Sequence, residues 1–171
     1  LEKNQIELWL NQKVDAIDYD TKTVHIDGGA EVVYDKLILA TGAQPFIPPY
    51  EGGDMHNVFS MRSMNDYLAV QEALEVDDVK TVLVVGGGLL GLEAAYAFLE
   101  KGLEVHVGEF AEHLLTKQLD TPSSIGLEEA LAQEGLKIHL GSTLKEIVGD
   151  DKVRKVILTG GEEIDCQLVL F

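Results

Sequence analysis

Three glycines spaced as Gly86, Gly88 and Gly91 restrict what this chain can fold into more than any other feature. They follow an apolar, β-branched run, Thr81-Val82-Leu83-Val84-Val85, too short for a helix. Such a run, ended by glycines, predicts a strand buried on both faces. Leu89 to Lys101 is rich in Leu, Ala and Glu, which are good helix formers, and Gly102 stops it. A second strand is predicted over Glu104 to Val107, running into Gly108 and Glu109. Strand, G-x-G-x-x-G, helix, strand and terminal acid together suit a dinucleotide site. Gly86 would make the tight turn, and Gly88 would leave room for a pyrophosphate. Gly91 would let helix and strand pack closely. Leu89 and Leu90 would offer backbone N–H groups at the helix start, where the dipole is positive. Glu109, 18 residues past Gly91, stands where a carboxylate accepts hydrogen bonds from adenosine ribose hydroxyls. The bland alternative is a structural turn; the flanking elements favour the nucleotide.

Composition narrows the class. With 46% hydrophobic and 25% charged residues, 171 residues suit a folded, soluble protein of one domain or one and a half. A net charge of −17 argues against nucleic acid and anionic membranes as partners. It does not oppose an anionic dinucleotide, which is held by backbone dipoles. Cys166 is the only cysteine, so no C-x-x-C pair and no internal disulfide exists in these residues. There is neither a signal-peptide pattern nor a long apolar span, and a cytoplasmic setting is expected. Leu1 is not a natural start and the chain stops inside an apolar run, so it reads as a piece of a longer protein.

Residues 1 to 42 are predicted to be β structure. Leu8 to Leu10 is a short apolar piece, and Val14 to Tyr19 and Thr23 to Ile26 alternate. Glu31 to Tyr34 alternates less cleanly. Lys36-Leu37-Ile38-Leu39-Ala40 reads as a buried strand ending in Thr41-Gly42. Gln44 to Asp54, with three prolines and two glycines, reads as a linker. A helix is predicted over Met61 to Glu75, capped by Ser60 or Ser63. Phe110 to Asp120 shows no period. Thr121 is the expected cap of the next helix, with Pro122 at its first position, and that helix ends near Gly135. Leu136 to Leu140 is a strand, and Thr143 to Val148 and Val153 to Thr159 form a hairpin. One strand is expected over Glu163 to Phe171.

Tyr34 to Pro49, YDKLILATGAQPFIPP, followed by GGGLLGLEAA from Gly86 to Ala95, resembles the pyridine nucleotide-disulfide oxidoreductase family. Within it, Glu109 to Asp120, EFAEHLLTKQLD, is most similar to the large-subunit branch of the NAD(P)H-dependent assimilatory nitrite reductases. Rubredoxin reductases, ferredoxin reductases and NADH oxidases are near relatives. The resemblance implies an α/β fold with two parts. One is a partial FAD-binding domain of β-strands, residues 1–50. The other is a Rossmann-type NAD(H)-binding domain with a parallel sheet, residues 57–171. It implies NADH and, in the full-length protein, FAD as cofactors. A hydride would pass to flavin held by another part of the same chain, then electrons to a metal centre or small redox protein. No residue here would act as acid, base or nucleophile, and the piece alone would be inactive. A non-catalytic dinucleotide sensor is the rival of another class.

The resemblance also implies residue roles. Glu93, two past the last glycine, would lie near the nicotinamide amide; otherwise it is a surface glutamate. Thr41 and Gly42 would approach the flavin side; otherwise they end a strand. Val14 reads as an ordinary strand residue more readily than as a backbone contact to FAD. Cys166 is expected to be a buried thiol. The five histidines lack metal-ligand spacing and are expected to be structural. Glu72, Glu75, Asp77 and Asp78 are expected to form a solvated face. Glu109, with Lys117 as the only nearby cation, predicts NADH over NADPH.

Overall fold

The structure is a computed structural model describing residues 5–171; residues 1–4 of the expected β region lie outside it. The chain divides into two compact units, 1–43 and 44–171.

In the first unit three antiparallel strands form one sheet in the order β1-β2-β3: β1 (Val14–Asp18), β2 (Thr23–Ile26) and β3 (Ala30–Val33). The Asp18 carboxylate shapes the first turn by accepting from the N–H groups of Asp20 and Thr21, both at 2.9 Å. Two expectations fail. Leu8 to Leu10 is exposed and irregular, and Lys36 to Ala40 is not a strand. Ile38 is 88% exposed. An apolar run becomes a buried strand only when neighbouring strands offer hydrogen bonds and cover; among the described residues this run pairs with no strand, and only Leu37 is partly covered.

The second unit begins with β4 (Val58–Phe59) and α1 (Met64–Val76). Ser63 caps α1 in a reciprocal capping box with Asp66, which sets the start later than Met61. Then come β5 (Thr81–Val85), α2 (Leu89–Glu100), β6 (Glu104–Gly108), α3 (Thr121–Gln133) and β7 (Lys137–His139). The cap of α3 is Asp120, one residue before the expected Thr121, and its carboxylate accepts from the Ser123 N–H at 3.0 Å. The hairpin is β8 (Leu144–Gly149) with β9 (Val153–Leu158). The expected final strand is two: β10 (Glu163–Asp165), antiparallel to β9, and β11 (Leu168–Leu170), parallel to β5. The chain changes sheets between them. Cys166 N–H donates to the Arg154 carbonyl, and Gln167 N–H to the Thr81 carbonyl. The Gln167 side-chain oxygen accepts from both Lys80 and Thr81 N–H, fixing the crossing at the start of β5. No glycine or proline marks the break, so the sequence pattern runs straight through it.

The five-stranded sheet has the order β4-β11-β5-β6-β7, and every pairing is parallel. Alternation in β5 explains the layers. Val82 and Val84 enter a core with Val70, Ala95 and Phe98 from α1 and α2. Leu83 points the other way, into a core with Leu144, Ile147, Val156 and Cys166 from the β8–β10 side. Both faces are covered, as a parallel sheet requires. Each fully buried Val or Leu contributes roughly 1.5–3 kcal/mol. Cys166 is the expected buried thiol: it donates to the Leu168 carbonyl at 3.0 Å, and burial pushes its pKa up to about 11. Among the described residues no helix is long and apolar enough to cross a membrane.

Candidate nucleotide site

The turn from β5 into α2 is built by its glycines. Gly86 has a φ of +113°, which favours glycine, and its N–H donates to the Gly108 carbonyl at 2.8 Å, joining the ends of β5 and β6. A Cβ on Gly91 would collide with the Gly86 carbonyl oxygen, so helix and turn can touch only because position 91 is bare. A Cβ on Gly88 would meet nothing within 4 Å: the space beside that backbone is open.

Gly88 is the N-cap of α2, with no side-chain cap and no acidic residue in the first turn. The other two helices are capped by Ser63 and Asp120. The start of α2 therefore presents unpaired N–H groups and a positive dipole end with no negative group of its own. Leu89 and Leu90 occupy the first turn and are 53% and 79% exposed. Exposed Glu93 follows one turn on and lines a cleft of about 650 Å³ shared with Met61, Tyr67, Leu170 and Phe171.

Glu109 is part-buried just past β6, and both its oxygens are engaged. Oε2 accepts from Gly87 N–H at 2.6 Å and Oε1 from Ala111 N–H at 2.8 Å. The structure thus brings Gly86, Gly88, Leu89, Leu90, Gly91 and Glu109 to one end of the parallel sheet. Thr41 and Gly42 belong to the first unit. Both are exposed, Gly42 has a φ of +73°, and Thr41 lines a cleft of about 520 Å³ against β1.

Sequence reasoning missed three polar arrangements. His106 Nδ1 and His139 Nε2 lie 2.8 Å apart, His106 Nε2 lies 2.9 Å from Glu104, and His139 Nδ1 lies 2.9 Å from Glu162. Burial is the main cause that lowers the His106 pKa. Asp77, expected on a solvated face, pairs with Lys152, which holds its carboxyl below the usual range. Ser124 Oγ donates to the Leu114 carbonyl at 2.6 Å, and Glu128 Oε1 accepts from Leu114 N–H at 2.9 Å. The first two pairs join residues 33 and 75 apart, which no local pattern encodes. The helical spacing of Ser124 and Glu128, which places them on one face, was the available signal for the third. No cluster of three or more His, Cys, Asp or Glu among the described residues could hold a metal ion.

A mixed α/β unit with a fully parallel sheet and a glycine turn feeding an uncapped helix defines a nucleotide-binding class of protein. The chain belongs to the pyridine nucleotide-disulphide oxidoreductase family, whose sequence profile matches residues 1–171. That family comprises NAD(P)H-dependent flavin oxidoreductases, and its members bind NAD(P)H and FAD. The chain is 42% identical over 148 residues to an NADH oxidase of Methanocaldococcus jannaschii, covering 86% of this chain and 33% of that protein. It is 38% identical over 169 residues to a nitrite reductase [NAD(P)H] of Bacillus subtilis, covering 99% of this chain and 21% of that protein. A ferredoxin reductase from Rhodopseudomonas palustris superposes with a TM-score of 0.88 at 28% identity, covering 99% of this chain and 41% of that one. The chain thus spans about a third or less of the length of these two curated relatives.

Proposed function

We propose that this chain is the NADH-binding portion of an FAD-dependent oxidoreductase that passes a hydride from NADH to flavin. The observation that carries the reading is the uncapped start of α2 beside the open face of Gly88, with the Glu109 carboxylate at the end of the next strand. Backbone N–H groups there would hold the pyrophosphate, and Glu109 would accept from the adenosine ribose. Glu93 would lie beside the nicotinamide amide, at the cleft it lines. Thr41 and Gly42 would approach the flavin. The bound flavin supplies the hydride acceptor; these residues supply binding and orientation.

Among members of the family, the nitrite reductase large subunit is the reading we favour, with a metal centre or small redox protein receiving the electrons. Its support is identity over nearly the whole chain: a nitrite reductase [NAD(P)H] of Bacillus subtilis at 38% and a nitrite reductase (NADH) large subunit of Escherichia coli at 36% each align over 99% of it, against 34% for an NADH oxidase of Streptococcus pyogenes over the same share. The higher identity of the archaeal NADH oxidase, over a shorter stretch, supports the second reading. A sensor without turnover is a third, and NADH-dependent reduction of bound flavin in the intact protein would exclude it.

The test is titration of the intact protein with both cofactors. NADPH should bind more weakly than NADH. Its 2′-phosphate meets a carboxylate, and the lost ribose bonds cost on the order of 1–3 kcal/mol, about tenfold to a hundredfold in affinity. Glu109→Ala should narrow the gap mainly by weakening NADH, and Gly88→Val should abolish binding of both while circular dichroism stays native. NADPH binding as tight as NADH in the unmutated protein would remove Glu109 from the ribose.

A further inference from the structure

Glu109 is held in place by the turn and the loop around it. Gly87 is the extra glycine of the motif and is buried. Its N–H is the donor that fixes Glu109 Oε2, and a Cβ there would overlap the Leu114 side chain and stand 3.1 Å from Glu109 Cβ. Leu114, fully buried, therefore lies directly against the bare face of Gly87. Leu114 belongs to the irregular loop 110–120, which lacks regular hydrogen bonding over its first half. Both backbone groups of Leu114 are instead bound to α3. Its carbonyl accepts from Ser124 Oγ at 2.6 Å, and its N–H donates to Glu128 Oε1 at 2.9 Å. Ser124 is 1% exposed, and its oxygen lies 3.1 Å from the same Glu128 oxygen. A buried hydroxyl and a largely buried carboxylate thus clasp one residue of a loop whose side chain backs the turn that fixes Glu109.

We infer that Ser124 and Glu128 are positioning residues for the choice between NADH and NADPH, acting through Leu114 and Gly87 on the Glu109 carboxylate. The inference rests on the reading of Glu109 as the ribose acceptor. A carboxylate discriminates between a ribose hydroxyl and a phosphate only where it is held, and its free lone pairs must face the sugar while Gly87 and Ala111 occupy the others. Loosening the loop lets the carboxylate swing, so the ribose hydrogen bonds weaken while contacts to the pyrophosphate remain. Binding of NADH should suffer and binding of NADPH should not.

The experiment measures dissociation constants for both cofactors in the intact protein carrying Ser124→Ala, Glu128→Ala, Glu128→Gln or Leu114→Val. The last shortens the side chain against Gly87 but keeps both backbone bonds to α3. Melting curves confirm that each variant is folded. Ser124→Ala and Glu128→Ala should weaken NADH roughly threefold to tenfold, with NADPH within about twofold of the parent. Glu128→Gln retains an acceptor oxygen and should keep most of the preference, while Leu114→Val should lower it. On a Glu109→Ala background, Ser124→Ala should change the NADH-to-NADPH ratio no further, because the two act in series. Proportional weakening of both cofactors, an unchanged ratio in folded variants, or a ratio change that persists without Glu109 would each overturn the inference. If Glu109→Ala alone leaves the ratio unchanged, the ribose assignment falls and this inference with it. If Glu109→Ala narrows the ratio but the α3 and Leu114 variants are silent, only the clasp is lost.

Discussion

Lys36-Leu37-Ile38-Leu39-Ala40 and Thr81-Val82-Leu83-Val84-Val85 are nearly equivalent as sequences: five residues, mostly apolar, each followed within two residues by a glycine. In the protein they are opposites. The second is β5, paired with β11 on one side and β6 on the other, with Leu83 fully buried. The first has no strand structure, and Ile38 is 88% exposed. Apolar composition states a demand for burial; the supply comes from neighbours. β5 has its neighbours within the second unit. The 36–40 run has no strand partner among the described residues, and under the proposed function the remainder of the FAD-binding domain would supply one.

Three measurements would break or sharpen that contrast. The largest effect belongs to Leu83→Ala, which opens a cavity between the central sheet and the β8–β10 sheet. It should cost about 2–5 kcal/mol in denaturant unfolding. A loss below about 1 kcal/mol would mean that β5 is not a core strand.

Acid gives the intermediate effect. Burial is the main cause that lowers the His106 pKa from its ordinary 6.5, against the opposing bond from Glu104. His106 is therefore neutral in the fold where the unfolded chain is protonated. The unfolded state then binds more protons, so the stabilisation is complete above about pH 6.5 and is lost as pH falls below it. Glu104, held below its ordinary 4.5 chiefly by Lys137, adds a further loss only as pH falls below that value. Between pH 7.5 and 5.5 the Tm of the protein should therefore fall. His106→Gln should flatten the dependence; an unaltered slope would exclude His106 as its source.

The smallest effect is Ile38→Ser. In the 171-residue chain it should change stability by less than about 0.5 kcal/mol, as surface substitutions do. In a protein that includes the whole FAD-binding domain, the same change should cost roughly 1–3 kcal/mol. Equal effects in both would show that the FAD-binding part does not cover this run.

What could be read from the sequence followed what is local. The positive φ of Gly86 and the tight contact at Gly91 are demands on single positions, and glycine reveals them. Strand, helix and strand from Thr81 to Gly108 follow periodicity and caps within thirty residues. Asp120 displaced Thr121 as a cap because both residue types cap helices and only the entry angle of the loop separates them. The His106–His139 contact, the Asp77–Lys152 pair and the crossing at Gln167 join or separate elements through tertiary placement alone. The open face of Gly88 is geometry that the sequence suggested; its occupant is the proposal that the titrations test.

The place of β11 in the sheet has a consequence for how this unit comes into being. β11 lies between β4 and β5, yet Leu168 pairs with Val82, 86 residues earlier, and Val169 with Val58, 111 residues earlier. β11 is thus an interior seam of the sheet, and among the described residues β4 has no other partner strand in it. While the chain emerges from the ribosome, β5, β6 and β7 can assemble with their helices, but one side of β5 stays open until Leu168 to Leu170 arrive. Contacts of such sequence separation slow folding, and an unpaired hydrophobic strand edge invites aggregation in the meantime. This unit therefore completes its sheet at β11, and its most vulnerable interval is the wait for Leu168 to Leu170.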